Sequence, residues 1–438
     1  MIYDAESRNM TFSLAGDVIL NRAISHYKEP AFLKLIELLR STDATLGNLE
    51  SLYHNWEMPY GSNYVGAYQV GAPEMLEEIK WMGFSGMSAA MNHAFDCGEA
   101  GLMATLENCR ARGLKTCGVG RSLGEARAPV YVETPKGRVA LMSASTLFGL
   151  PPVAHAGPGR HDMPGKPGVA ILRHKTLHTV PEAEFQSLAN VHEGLGMRSP
   201  IDTEELVIAE QRYRKGREYK IETSCEQEDL QDILRYIRGA RKTSDFVAFS
   251  LHCHENGTTG RYFNAVHRAS CPDFLIEFCH DAIDAGCDLI FVHGPHVLRG
   301  IEIYKGKPIF YSLGNFVFNV ESLERIPEPA YRRMGFDHTA TAGDWTQRFA
   351  DDSIWAWSKE PACYQTVLPI CDFRGGELAE VVLYPVDLGY GTPTSQRGRP
   401  VLAGSDVSDE IFEFIKDVSQ PFGTRFEKIE DCKFRIVL

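Results

Sequence analysis

The sequence predicts an α/β fold, and three observations carry that prediction. Apolar runs of strand length alternate with amphipathic helical stretches through the first 150 residues and again beyond residue 245. Several of those runs end in Asp, Asn, Glu or His, where the carboxyl edge of a parallel sheet gathers polar groups. The composition is that of a folded chain, with 438 residues, 44% hydrophobic and 24% charged. That length suits two or three domains or one elaborated α/β domain.

The elements follow in order. Thr11–Ala15 reads as a strand, 31–40 as an amphipathic helix and 44–46 as a short strand. Residues 73–82 read as a helix, 84–89 as a third strand and 98–112 as a helix with Leu102, Leu106 and Cys109 on one face and Gly113 as its stop. Residues 139–143 form another strand. Pro151 to Pro167 is rich in Pro and Gly and reads as loop, and the charged stretch 198–240 reads as helical. The alternation resumes with a strand at 245–251, a helix at 273–285, a strand at 288–292 and a hairpin from 301–304 and 308–311. Residues 319–362 read as irregular, with Trp345, Trp355 and Trp357. A hairpin turns around Arg374, Gly375 and Gly376, and a helix near 408–419 precedes a final strand. The expected organisation is one α/β core with insertions at about 151–240 and 319–362.

The formal charge is −13, from 45 Lys+Arg against 58 Asp+Glu. An acidic balance argues against nucleic acid, whose recognition needs a basic footprint. No stretch reaches the roughly 18 to 20 apolar residues of a spanning helix. The N-terminal MIYDAESRNM has neither a basic n-region nor an apolar h-region, so no signal peptide is expected. Eleven scattered cysteines without a CxxC pair predict reduced thiols in a cytoplasm, and Cys271, Cys279 and Cys287, spaced by eight, read as core packing.

Five predicted strand ends carry residues of metal-ligand type. They are Gly16-Asp17, Gly47-Asn48-Leu49-Glu50, Asn92-His93 followed by Asp96, His252-Cys253-His254, and His293-Gly294-Pro295-His296. Each alone has a plain alternative: Gly-Asp is commonly a turn and Asn-His a helix cap. Together they gather carboxylates, an amide oxygen and imidazoles, a donor set suited to Mn²⁺, Fe or Zn²⁺. Gly294-Pro295 holds two imidazoles near one point, and His252 and His254 share a face of an extended strand.

The blocks GDVILNR, GNLES, MNHAFDCGEAGL, SLHCHENG and HGPHVLRGIEIYKGKPIFYSLGNFVF closely resemble the CapA/PgsA (poly-γ-glutamate capsule synthesis) family of the calcineurin-like metallophosphoesterase superfamily. The resemblance spans residues 8–430 and implies a single domain, a four-layer α/β/β/α sandwich of calcineurin-like metallophosphoesterase type, with a centre of two divalent metal ions, Mn²⁺ first, Zn²⁺ or Fe otherwise. It implies metal ligation by Asp17, Glu50 as the bridging carboxylate, Asn92, His252, His293 and His296, with His254 as the alternative to His252. It implies that His93 is a proton donor and that Asp96 orients it. Two departures stand out: Val18 and Ile19 follow Asp17 where the superfamily has Asp-x-His, and Cys253-His254 follow His252 where many relatives have Trp-Gly.

The implied activity is a metal-dependent hydrolase of an amide, γ-glutamyl or phosphoester bond, acting through a metal-bound hydroxide whose parent water has its pKa lowered from about 15.7 toward 7. A cofactor-independent, metal-dependent peptide epimerase and a non-catalytic polyglutamate or capsule accessory protein are the alternatives. The substrate is expected to be small or a peptide, and anionic. Residues 151–180 hold Arg160, Lys166, Arg173 and Lys175 against Asp162, a local basic patch that is either a solvated loop or a rim for a carboxylate or phosphate. Arg160 and Arg173 are its substrate-binding candidates. Arg299 and Asn315, beside the last histidine motif with Ser312, are candidates too, with a structural role as the alternative. The tryptophans of 345–357 either cover the site or pack on the core.

Overall fold

The computed structural model describes residues 8–61, 67–197, 204–257, 268–352, 359–430 and 432–438. It is a mixed α/β protein. Its strand-end chemistry rests on six strands: β1 (Met10–Ile19), β2 (Ala44–Leu49), β3 (Gly86–Ser88), β4 (Gly137–Ser145), β5 (Phe246–His252) and β6 (Leu289–His293).

Among the described residues one sheet has ten strands. Its central part, Asn315–Phe318, β1, β2, β3 and Thr116–Cys117, is parallel. Antiparallel strands Gln365–Arg374 and Glu377–Asp387 extend it beyond β1. A second sheet has six strands, with β4, β5, β6 and Lys307–Phe310 parallel and a hairpin strand at each edge. Strands buried on both faces read as unbroken apolar runs rather than alternating ones, which is why β5 (FVAFSLH) and β6 (LIFVH) are legible as sequence.

The apolar clusters show how the layers meet. Phe12, Leu14 and Leu46 of the first sheet share one cluster with Leu141, Phe246, Ala248 and Phe291 of the second. The first sheet's other face packs on helices Pro30–Ser41 and Met75–Met82. The second sheet's other face packs on helices Gln227–Ala240 and Asp273–Ala285. Helix Asp273–Ala285 buries Phe274, Leu275, Phe278, Cys279, Ala282 and Ile283, an apolar stripe at helical spacing. The parallel strands β1, β2, β5 and β6 therefore present their carboxyl ends along a common seam between the two sheets.

Two stretches differ from expectation. Among the described residues of 198–240 only Gln227–Ala240 is helical. Residues 205–208, 211–216 and 220–225 are strands that join His174–Pro181 in a separate four-stranded sheet. The charged residues there alternate with Tyr213, Ile221 and Thr223 at a period of two, and the small cluster of Val180, Phe185, Ala189 and Leu206 supports them. Within 319–362, expected to be irregular, Glu328–Arg333 and Ala342–Asp352 are helices. Trp345 is buried in the first sheet's cluster, stacks on Phe349 and donates its indole N–H to the Ala330 carbonyl, so it packs rather than lining a site. Trp355 and Trp357 lie outside the described residues. All eleven cysteines are free; Cys279 and Cys287 are buried and Cys271 is half-buried. Among the described residues no helix is long and apolar enough to cross a membrane.

Candidate metal centre

Strand register sets up the site. At the end of the first sheet Asp17 lies between Asn48 and Asn315. At the end of the second, His252 lies between Ser145 and His293. The pairing of β1 with β2 steps from Leu14–Leu46 to Asp17–Asn48, so β1 carries one extra residue immediately before Asp17. Such a bulge re-aims the side chain that follows it. Gly16 is required there, because a Cβ would fall 2.0 Å from the Gly314 carbonyl oxygen. The two sheets then join through Asp17: Gly294 N–H donates to Oδ2 at 3.1 Å, and His293 Nδ1 lies 3.4 Å from Oδ1.

Asp17, Glu50, Asn92, His252, His254, His293 and His296 are all buried at this seam. Asn48 Nδ2 donates to Asp17 Oδ1 and to Glu50 Oε2, each at 2.9 Å. His252 Nε2 is 2.9 Å from Asn92 Oδ1, and its Nδ1 is 2.8 Å from His293 Nδ1. Donor atoms within 4.8 Å of one another form three groups: Asp17, His252 and His293; Glu50, His252 and His254; Asp17, Glu50 and His296. The histidine turn is itself unusual. Gly294 has φ +117° and His296 φ +59°, a left-handed backbone that a β-carbon disfavours and that bends both rings toward Asp17.

The electrostatics are unbalanced in a specific way. Burial pushes the Glu50 carboxyl well above its usual range, and the neighbouring Asp17 charge pushes further. Burial also opposes ionisation of Asp17, but hydrogen bonding with Glu50 and with the imidazoles of His293 and His296 outweighs it and keeps Asp17 well below. Burial, then the neighbouring imidazoles, holds His252 and His254 well below the ordinary histidine value. The two carboxyls are thus pushed in opposite directions, as expected of two close buried acids. Glu50 Oε1 is buried without a hydrogen-bond partner.

This donor set fits divalent cations. It offers two carboxylates, an amide oxygen and imidazole nitrogens, with no Lys or Arg in an ion pair with either Asp17 or Glu50 among the described residues. His293 has Nε2 on Ser250 Oγ at 2.6 Å, and His296 has Nδ1 on Asn315 Oδ1 at 2.8 Å. Each thus has one ring nitrogen tied to a neutral group and the other on the carboxylate side, the arrangement of metal-ligating histidines.

His93 and Asp96 follow β3 on a short turn of 3₁₀-helix. His93 Nδ1 donates to Asp96 Oδ2 at 2.8 Å, and that oxygen also accepts the Gln69 N–H at 2.9 Å. Burial raises the Asp96 carboxyl, with the His93 charge opposing it. The residue before His93, Asn92, meets His252 Nε2 at 2.9 Å, so the turn carrying His93 borders the centre.

The remaining candidates lie elsewhere or act through the protein. Arg299 is fully buried and gives its guanidinium to the carbonyls of Arg268, Cys253 and Glu255. It straps the loop after His252 to the segment after His296. Asn315 serves His296 and also donates to the Cys363 carbonyl at 2.8 Å, and Ser312 Oγ bonds the Val297 carbonyl. Arg160 is exposed and pairs with Asp162. Arg173 is held by Asp229 and Glu228 and lines a cavity of about 670 Å³ with Arg127, His155 and Tyr236. Lys166 bonds the carbonyls of Pro152 and Val153, and Lys175 pairs with Glu226. The basic patch is thus largely compensated locally.

Sequence reading included Asn48 in the second strand-end motif without a role of its own, and passed over Ser250. Each stands two residues before a singled-out donor, Glu50 and His252, and period-two spacing is the signal that would have found them.

The family described as bacterial capsule synthesis protein PGA_cap matches residues 11–320. Two uncharacterized proteins of Sinorhizobium fredii (strain NBRC 101917 / NGR234), y4uA and y4sH, are each 36% identical over 438 residues, covering 96% of this chain and 91% of theirs. The PGA biosynthesis protein CapA of Bacillus subtilis (strain 168) is 25% identical over 319 residues, covering 71% of this chain and 63% of its own.

Proposed function

The chain belongs to the bacterial capsule synthesis protein (PGA_cap) family, and from that premise we propose that it is a metal-dependent hydrolase of an amide, γ-glutamyl or phosphoester bond. The observation that carries the reading is the buried Asp17–Glu50 pair, ringed by imidazoles, with no Lys or Arg paired to it among the described residues. Asp17, Glu50, Asn92, His252, His293 and His296 would hold two divalent cations. When bound, these would acidify water toward neutral pH and polarise the scissile group. The two sheets with a shared core and helices on their outer faces support the four-layer calcineurin-like arrangement and a single domain over 8–430. We place the protein in the cytoplasm, where eleven scattered thiols stay reduced.

The chain's own contribution to turnover is proton delivery and orientation. Asp96 holds the Nδ1–H of His93, so Nε2 is the nitrogen that carries the exchangeable proton. As the scissile C–N or P–O bond breaks, Nε2–H gives its proton to the departing nitrogen or oxygen, and Asp96 stays bonded to Nδ1–H throughout. A positioned acid of this kind contributes about 10²–10⁴-fold. Burial of His93 and Asp96 keeps bulk water from competing for that proton. The relative named for PGA biosynthesis makes a γ-glutamyl peptide the first substrate to try.

The test is turnover of a phosphomonoester, a phosphodiester and γ-glutamyl peptides by Mn²⁺- or Zn²⁺-loaded protein in H₂¹⁸O. Label in one product is the expected result. In a parallel incubation in D₂O, deuterium uptake at Cα without cleavage would identify an epimerase, and tight polyglutamate binding without turnover an accessory protein.

A further inference from the structure

His254 occupies a place that simple packing does not explain. Its ring lies flat on Phe148, with centroids 4.2 Å apart and 19° between planes, which fixes the imidazole plane. So held, its Nε2 comes within 3.0 Å of His252 Nε2. His254 also shares a group of close donor atoms with Glu50 and His252, and its ring stands 5.5 Å from that of His296.

Proton counting makes the contact informative. His252 meets another imidazole at both of its nitrogens, His293 at Nδ1 and His254 at Nε2, while Nε2 also meets Asn92 Oδ1. A neutral imidazole has one N–H. If His252 donates from Nε2, that single N–H faces both Asn92 Oδ1 and His254 Nε2, and it can fully serve only one of the two lone pairs. If His252 donates from Nδ1, Nε2 and Asn92 Oδ1 face each other as two acceptors. Nitrogens and an amide oxygen at this spacing are reconciled by aiming their lone pairs at a common cation.

We propose that His254 is itself a metal ligand, giving the Asn92–His252 side of the centre a nitrogen-rich donor set that selects Zn²⁺ or Fe²⁺ over Mn²⁺. The inference rests on the metal-centre reading above. It answers the choice between His252 and His254: both bind. Adding an imidazole to an oxygen-rich site favours later, borderline metals, whereas Mn²⁺ suits carboxylate and water ligands. Phe148 is then a positioning residue for the added ligand.

The experiment measures Zn²⁺ and Mn²⁺ affinity by competition with a chromophoric chelator, for full-length wild type, His254→Gln and Phe148→Leu, with circular dichroism melts of each metal-free protein. In His254→Gln, Zn²⁺ affinity is expected to fall at least about 10-fold, the lower end of what even an outer partner of a ligand contributes. Mn²⁺ affinity is expected to fall less, so the Zn²⁺/Mn²⁺ ratio narrows. Phe148→Leu, which keeps the imidazole, should narrow the ratio by a smaller factor, and it carries the test if His254→Gln does not fold. Tight wild-type binding with an unchanged ratio in the folded variants overturns the ligand and leaves the centre standing. A wild-type chain that binds neither ion overturns both.

Discussion

Two buried charge clusters in this protein are built from similar acids and end in opposite states. Around Asp229, four N–H donors converge: the Arg173 backbone, Arg173 Nε and Nη2, and Arg127 Nη2. Asp232 takes Arg127 and Arg235. Those carboxylates are balanced by guanidinium groups of the chain, and both are held below the usual range, burial opposing and the arginines prevailing. Around Asp17 and Glu50 the chain supplies an amide and imidazoles, Glu50 is pushed up, and one of its oxygens has no partner. The first cluster is complete in charge, although Arg127 Nε is buried without a hydrogen-bond partner, and ties Arg173, at the start of the inserted sheet, to helix Gln227–Ala240. Among the described residues the second has no such guanidinium or ammonium partner, which supports the proposal that it takes cations from solution. Charge balance, rather than burial or residue type, separates a structural ionic network from a binding site.

That contrast can be broken most severely at the seam. Asp17→Ala or His296→Ala should remove bound metal and turnover together, read by elemental analysis and the hydrolysis assay. Glu50→Gln is sharper, because burial already favours the neutral form of Glu50 when no cation is present. Its metal-free melting temperature should match wild type while metal binding is lost; a large drop in that temperature would mean Glu50 is a structural acid after all.

Next in size is His93→Ala. Metal content should be retained and kcat should fall about 10²–10⁴-fold. Loss of metal in this variant would make His93 a ligand instead of a proton donor.

The complete cluster should answer the other way. Asp229→Ala leaves Arg127 and Arg173 without their shared partner and should cost about 3–5 kcal/mol in chemical denaturation, with metal stoichiometry unchanged. The sign of its pH dependence follows from the depressed carboxyl: Asp229 stabilises above the unfolded Asp value of about 3.9 and loses that contribution as pH falls through its lower folded value, so the variant's penalty should shrink in strong acid. The smallest effect belongs to Arg160→Ala, whose exposed pair with Asp162 should be worth within about 0.5 kcal/mol, with metal content and KM unchanged. A raised KM there would restore the basic rim as a substrate contact.

Legibility in the sequence tracked the range of the interaction. β5 and β6 were readable as apolar runs ending in His252 and His293, because burial on both faces leaves a local mark. The strands at 205–225 were not, because their charged residues resemble an exposed helix until they pair with His174–Pro181. Arg173 looked available for an anionic substrate because Asp229, 56 residues away, is invisible from its neighbourhood. The role of Asn48 was hidden for the same reason: it exists only where the bulge brings Asp17 across from that residue.

The sequence by itself determined the α/β class, the donor types and their places just beyond strand ends, since period, turn residues and terminal polar groups are all local. Only the tertiary structure decided that seven of those donors share one buried seam, that His254 is among them, and that the arginines are neutralised elsewhere. Register between distant strands sets which charges meet, and in a low-dielectric interior that pairing decides whether a carboxylate is balanced or open to a cation.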